Sequence, residues 1–383
     1  MKIVLSGVET NNKGAELMLY AIVQEIERRF PKSEVYIPAW YVKQGKDYVK
    51  TSLRLNYNPY SYYIGKYHLR GLFAKLHLNV STLNRLTVVK DADWFLDGSG
   101  FLFTDQYKKL GGIFSYWDVI LKSYYKSNTK IVFLPQGFGP AEKPATRKMF
   151  GVLDKYATAI IPREKVSLEY ICNSGIIDMS KVKMFTDFTS LVEGVFPNNY
   201  EHLKNGICVI PNMRMIDRGA IPMEDYKSLL KEVILKAGAS GHPIYLLNHE
   251  GKQDEEFAKM LSHELSGEIQ VVTDLNALET KGLIASAYLV VSSRFHGVAS
   301  ALNSCVPCLA TSWSHKYEEL YHDYGLDGFL LSLDDADAVA NSVQRLLNPQ
   351  ENHRIREQLA ISSRNIKEQT REMWDYVWNL TSN

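Results

Sequence analysis

The chain has 383 residues, 45% hydrophobic and 23% charged, with 44 Lys and Arg against 43 Asp and Glu for a net charge of +1. That length suits two domains of roughly 150–200 residues rather than one, and the near-neutral balance gives no global field for a nucleic acid partner. No run approaches the ~18–20 apolar residues that span a bilayer. The opening MKIVLSGVET has too short an apolar core for a signal peptide, so the expected location is cytoplasmic.

In chain order, KIVLSGV predicts a strand, GAELMLYAIVQEIERRF an amphipathic helix and SEVYIPAW a strand. The stretch 41–90 does not fit the alternation. Beyond it WFLDGSG, KIVFLPQG, TAIIPRE and VKMFTD predict strands, with helices over TRKMFGVLDKYA and VSLEYICNSG. LVEGVFPNNYEHLKNG, residues 191–206, has Pro197, asparagines and few apolar residues, and reads as a linker.

The second half repeats the theme. GICVIPNMR, PIYLLNHE, IQVVTD, YLVVSSR, PCLATSW and GFLLSL predict strands. Helices fall over MEDYKSLLKEVILKAG, DEEFAKMLSHEL, NALETKGLIASA, the stretch opened by FHG, and YEELYHDYG, with a long helix over the last thirty or so residues. Short apolar strands alternating with helices argue for parallel sheets covered on both faces. The expected fold is α/β: two doubly wound, Rossmann-like domains facing a cleft. These are an N-terminal domain over 1–195 carrying the 41–90 insertion, a C-terminal domain over 205–345, and a terminal helix over 350–383.

Cys305 and Cys308 form a CxxC, which could be a redox pair or half a zinc site, but no second CxxC or nearby His pair completes four ligands and Pro307 sits where a following strand starts. All four cysteines are expected as buried or free thiols, and no metal site is expected. In doubly wound sheets ligands bind beyond the carboxyl ends of strands. Those ends carry Asn12 and Lys13, Asp97, Arg163, Asp187, Asn212 and Arg214, His249 and Glu250, Asp274, Arg294 and His296, then Ser314 to Lys316. Asp187, Asp274 and Ser314 read as caps or turns. Arg163, Arg214 and Arg294 each follow an apolar strand, and planar guanidinium forks suit carboxylate and phosphate. Together they predict a small, multiply anionic ligand, with helix N-termini adding N–H donors. His296, beside that site at a helix start, reads either as an acid or base near neutrality or as a histidine hydrogen-bonded into the wall between domains.

SGVETNNKGAELML, LDGSGFLF, LPQGFGP, IPREKVSLEY, LLNHEGKQDEEF and SSRFHGVASALNSCVPCLATSWSHKYEEL together resemble the polysaccharide pyruvyltransferase family in order and spacing, from Ile3 to about Gly328. The resemblance implies a two-domain architecture like that of GT-B glycosyltransferases. It implies an enzyme moving the enolpyruvyl unit of phosphoenolpyruvate onto two hydroxyls of a sugar, with phosphoenolpyruvate a substrate and no cofactor. Arg294 and His296 would line the donor site, with Arg163 a further anion ligand. Lys316 and Arg214 join them as donor-binding candidates, and His296 and Arg294 are the catalytic candidates. The chain has Asp97-Gly98-Ser99-Gly100 where the family often has three glycines, and Gly14-Ala15-Glu16 where it often has Gly-Asp. The acceptor or base role is therefore open among Asn12, Glu16, Asp97 and His249. The alternatives are a glycosyltransferase with a nucleotide-sugar donor, using a carboxylate near Glu318 or Glu319 for the ribose, and a non-catalytic glycan-binding module.

Residues 41–90 hold nine Lys or Arg against Asp47 alone, and seven tyrosines lie between Tyr41 and Tyr67. This block reads either as a solvated insertion packing its tyrosines on the N-terminal domain, or as the face that meets a polyprenyl-diphosphate-linked acceptor at the inner face of the membrane. At an anionic surface each basic residue is worth about 1 kcal/mol, and tyrosine suits the headgroup level. The second reading predicts salt-sensitive co-sedimentation with anionic vesicles, lost when four of these lysines become glutamine. An absence of sedimentation at low salt leaves the insertion alone.

Overall fold

In a computed structural model the described residues are 1–10, 12–38, 55–56, 60, 85–106, 110–217, 219–265, 269–311, 316–331 and 336–380. Most of the basic stretch 41–90, with the acceptor and membrane readings attached to it, lies outside them.

The first sheet contains β1 (Lys2–Ser6), β2 (Glu34–Tyr36), β3 (Leu55–Asn56), β4 (Trp94–Asp97), β5 (Lys130–Gln136) and β6 (Ala159–Pro162). Its order is β3-β2-β1-β4-β5-β6, with parallel pairing at every join. Strands β4 and β6 are buried at every position. That follows from continuous apolar runs such as WFL and AII, which need cover on both faces. VKMFTD departs from its predicted strand. Val182 makes one isolated bridge to Ile160, and the Lys183 and Phe185 amides donate to the Ile160 and Pro162 carbonyls. The segment therefore lies along the outer edge of β6 without becoming a regular strand. A helix over Leu110–Lys126 is an element the sequence reading did not anticipate.

The second sheet contains β7 (Ile207–Ile210), β8 (Ile244–Leu247), β9 (Gln270–Val272), β10 (Leu289–Ser292), β11 (Cys308–Thr311) and β12 (Leu330–Leu331). The order is β12-β11-β10-β7-β8-β9, again parallel throughout. Counted from its own first strand, this is the same order as the first sheet, so both have the doubly wound class expected. The helix over Ala336–Leu347 was not anticipated. The four cysteines are free thiols, with Cys208 and Cys308 buried.

The chain divides into one unit of 1–11, 18–189 and 369–383 and another of 12–17 and 190–368. The supposed linker 191–206 is part of the second unit, and the reason is close backbone packing. Val195 N–H donates to the Leu278 carbonyl at 2.9 Å. A Cβ on Gly282 would stand 2.3 Å from the Val195 carbonyl carbon, and one on Gly194 would stand 2.3 Å from the Gly282 nitrogen. The terminal helix Pro349–Trp378 contributes to both units. Early in it, Arg356 donates to the carbonyls of Ala287 and Tyr288 at 2.8 and 2.9 Å. Late in it, Trp374 is buried, and Trp378 meets Phe30 and Trp94 edge-on at 5.0 and 5.1 Å.

Gly282→Ala forces a methyl into backbone that has no room to yield. The expected loss is about 1–3 kcal/mol, read as a lower urea midpoint, with Gly151→Ala (nothing lies within 4 Å of that added Cβ) as the helical control.

Candidate functional site

In the second unit the strand order reverses between β7 and β10, which is where a doubly wound sheet opens a crevice beyond its strand ends. Asn212 follows β7 and Ser293 follows β10. Asn212 Nδ2 donates to the Ser293 carbonyl at 2.8 Å, and its Oδ1 accepts the Arg214 N–H at 2.9 Å. Tyr226 Oη accepts the Asn212 N–H at 3.0 Å and lies 2.5 Å from Ser293 Oγ. Tyr317 Oη donates to the Ser293 carbonyl at 2.9 Å. Burial pushes the Tyr226 phenol up to about 12, so it remains a neutral bridge. This network aims the next residue.

Arg294 is the N-cap of the helix Phe295–Asn303, and Ser292 Oγ accepts its N–H at 3.0 Å. The sequence reading has its fork open to a ligand; the structure closes it with two carboxylates. Nε donates to Asp254 Oδ2 at 2.9 Å, Nη2 donates to the same oxygen, and Nη1 donates to Glu250 Oε2. Asp254 also accepts the Met213 N–H at 2.9 Å. Its side chain is 1% exposed, against 27% for Glu250. Burial holds the Asp254 carboxyl above its ordinary range, with Arg294 opposing that shift. The outer oxygen of Glu250, Oε1, accepts from Asn12 Nδ2 at 2.7 Å. Asn12 meanwhile caps the first helix, Lys13–Arg29, its Oδ1 accepting the Gly14 and Ala15 N–H groups at 2.8 and 3.2 Å. One positive and two negative charges leave the cluster at −1. At an effective dielectric near 20, unit charges 4 Å apart interact by about 4 kcal/mol. Repulsion from Glu250 thus offsets the attraction of Arg294 for an incoming anion while the pair stays closed.

His296 is the second residue of the same helix. A Cβ on Gly14 would stand 2.3 Å from His296 Nδ1, so only glycine there lets the start of the first helix lie against the imidazole. His249, at the end of β8, is 5% exposed, and its buried Nδ1 has no hydrogen-bond partner. Burial, then the positive charges of Arg294, His296 and Lys13, drive its pKa well below the usual histidine value. His249 is therefore neutral.

The structure gathers Asn12, His249, Arg294 and His296 in one unit, with Glu250 and Asp254 joining them. The other candidates stand differently. Arg163 belongs to the first unit and is held by Glu164 at 3.1 Å and Asp187 at 3.4 Å; Asp187 also accepts the Thr189 N–H at 2.9 Å. Asp97 is fully buried. Its oxygens accept from the Ser99 N–H, Ser99 Oγ and Gln136 Nε2 at 3.2, 2.9 and 3.3 Å, and burial raises its pKa. With no surface to offer an acceptor, it holds a turn, which corrects its candidacy as a base. Glu16 is likewise buried and lies 3.4 Å from Lys13. Arg214 is half-exposed, its nearest acid Asp217 at 3.9 Å. Lys316 opens the helix Lys316–Asp323, with its side chain, Ser314 and His315 outside the described residues. The sequence reading passed over Asp254. The available signal was its spacing, four residues beyond Glu250 at the start of a helix. Among the described residues no group of three or more His, Cys, Asp or Glu is placed to hold a metal ion, and no helix is long and apolar enough to cross a membrane.

A family model described as Polysaccharide pyruvyl transferase matches residues 12–315. No curated protein matches the chain significantly. Several solved structures share its fold. HepE of Anabaena in complex with UDP aligns at TM-score 0.57 and 14% identity, covering 98% of this chain and 100% of that one. UDP-GlcNAc 2-epimerase from Neisseria meningitidis bound to UDP-GlcNAc aligns at 0.58 and 9%, covering 99% and 100%. The S. aureus MnaA–UDP structure aligns at 0.56 and 13%, covering 100% and 98%. At these identities the likeness is one of fold.

The orphaned imidazole of His249 makes stability depend on pH. An unfolded histidine takes up a proton near pH 6.5, whereas folded His249 resists it. The unfolded state then binds more protons, so stability falls as pH drops below about 6.5, by at most about 1.4 kcal/mol per pH unit. His249→Asn should remove that share of the slope in urea unfolding between about pH 7.5 and 5.5. Parallel slopes would show that His249 protonates in place.

Proposed function

The chain belongs to the polysaccharide pyruvyl transferase family, and on that premise we propose that it transfers pyruvate from phosphoenolpyruvate to two hydroxyls of a hexose in a surface-glycan precursor. The observation that carries this reading is the joining of an arginine to a histidine at one helix start. Arg294 caps the helix in which His296 is the second residue, and neutral His249 senses both their charges. Phosphoenolpyruvate combines a carboxylate and a phosphate on three carbons, which suits a guanidinium beside helix N–H donors.

The chemistry balances without another reactant. A proton adds to the methylene carbon, and the neighbouring carbon becomes an oxocarbenium-like centre. One sugar hydroxyl attacks that centre and gives up its proton. The second hydroxyl displaces phosphate, which leaves with the bonding pair, and the ketal closes. Of the two hydroxyl protons, one replaces that placed on the new methyl group and the other leaves with phosphate. His296 is the group placed to pass the proton, and Arg294 holds charge as it moves between carboxylate and phosphate. The acceptor in this reading is a precursor carried on polyprenyl diphosphate, met through the basic 41–90 stretch.

A second reading has a specific observation behind it. HepE, MnaA and the Neisseria epimerase were solved with UDP or UDP-GlcNAc, which supports a nucleotide-sugar donor in the same fold, with Glu318 or Glu319 for the ribose. Calorimetric titration with phosphoenolpyruvate and with UDP separates the two. Heat from phosphoenolpyruvate alone is the expected result, heat from UDP alone supports the second reading, and heat from neither supports a non-catalytic module.

The two site residues should also fail differently. Arg294→Ala is expected to weaken phosphoenolpyruvate binding by about 2–5 kcal/mol. His296→Ala should lower turnover by about 10²–10⁴ with binding less affected. Near-normal turnover in His296→Ala would remove it from the proton path.

A further inference from the structure

Glu250 closes the Arg294 fork in a particular way. One carboxylate oxygen, Oε2, receives Arg294 Nη1, and the other, Oε1, receives Asn12 Nδ2 at 2.7 Å. Two donors from distant parts of the chain thus meet the two oxygens of one carboxylate. The partners of Arg294 are unequal. Asp254 is 1% exposed and tied to the Met213 N–H at 2.9 Å, while Glu250 is 27% exposed and held by side chains alone. If Glu250 swings away, Arg294 keeps Asp254 as its counter-charge, so the buried cation is not orphaned. Asn12 keeps its Oδ1 on the Gly14 and Ala15 N–H groups, so the first helix stays capped while Nδ2 becomes available.

We infer that the place filled by the Glu250 side chain is the carboxylate subsite of the donor site, built from Arg294 and Asn12, with Glu250 as its internal occupant until a ligand carboxylate displaces it. This rests on the donor reading above and goes beyond it in assigning which end of the donor binds where. A planar two-oxygen acceptor fits one donor on each oxygen. The tetrahedral phosphate then falls to the N–H groups that open the helix Phe295–Asn303. Glu250 is a gate in this arrangement, since donor binding and the Glu250–Arg294 pair exclude one another.

Calorimetry with pyruvate, inorganic phosphate and phosphoenolpyruvate tests it on the full chain, with Glu250→Gln, Glu250→Ala and the double variant Asn12→Ala/Glu250→Ala. Thermal melting confirms which variants fold, and Glu250→Gln preserves the side-chain volume. Glu250→Ala should bind pyruvate about tenfold more tightly than the natural chain, and Glu250→Gln should shift the same way. Phosphate affinity should change by no more than about threefold, and the double variant should give up the gain. Pyruvate binding that is equal or weaker in both single variants overturns the subsite. If phosphoenolpyruvate still binds in that case, the donor reading stands and only this inference falls. If no form binds phosphoenolpyruvate but Glu250→Ala gains affinity for pyruvate, the donor reading falls and the subsite stands.

Discussion

The ion pair between Arg294 and Asp254 is the interaction around which the second unit's strand ends are arranged. A buried guanidinium is tolerated only with a matched carboxylate, because desolvating either ion alone costs several kcal/mol. Asp254 therefore has to be delivered by the helix after β8 to the end of β10. The Met213 N–H that it also accepts draws in the turn after β7. Three strand ends are pinned to one charge pair, and Asn212, Tyr226 and Ser293 complete the framework with hydrogen bonds among themselves. Glu250 is the exception in this set, attached to the framework only through side chains and partly open to water.

A site built in this way carries its own electrostatic brake. A lone arginine at a helix start would hold any passing anion, whereas this one already has its fork shared between Asp254 and Glu250. The same principle bears on the two histidines. His249 stays neutral because burial and three cationic neighbours oppose a proton there. Its imidazole is therefore an uncharged lining element, and beside it lies His296, which Gly14 admits by lacking a side chain.

Much of the fold was legible because parallel sheets leave a plain trace. WFLD, AIIP, ICVI and LVVS are runs whose every residue is buried, and each ends at or just before a polar residue or a proline. VKMFTD has the same trace, but it lies on the edge of β6, where pairing is one-sided and the ladder lapses. The 191–206 stretch looks like a linker by composition, and only the facing glycines 194 and 282 show that it is packed. The site was partly legible for a related reason. Strand-end position marked Arg294, His296, His249 and Asn12, since ligands gather beyond carboxyl ends. Position alone cannot say whether a charged group meets solvent, a ligand or another residue.

The sequence by itself determined the doubly wound class, the positions of most strands and the residues that end them, because hydrophobic period and breaking residues act over a few neighbours. The family pattern in Ser293-Arg294-Phe295-His296-Gly297 was equally local. Only the tertiary structure decided what those residues do to one another. Asn12, Glu250 and Arg294 are separated by more than two hundred residues from first to last, and no local rule foretells that one carboxylate joins the other two. Asp97 shows the same limit in reverse. Its position at a strand end suggests chemistry, but the folded chain buries it completely and spends its oxygens on Ser99 and Gln136. Charge pairing and burial are properties of three-dimensional neighbourhoods, and the sequence orders those neighbourhoods without displaying them.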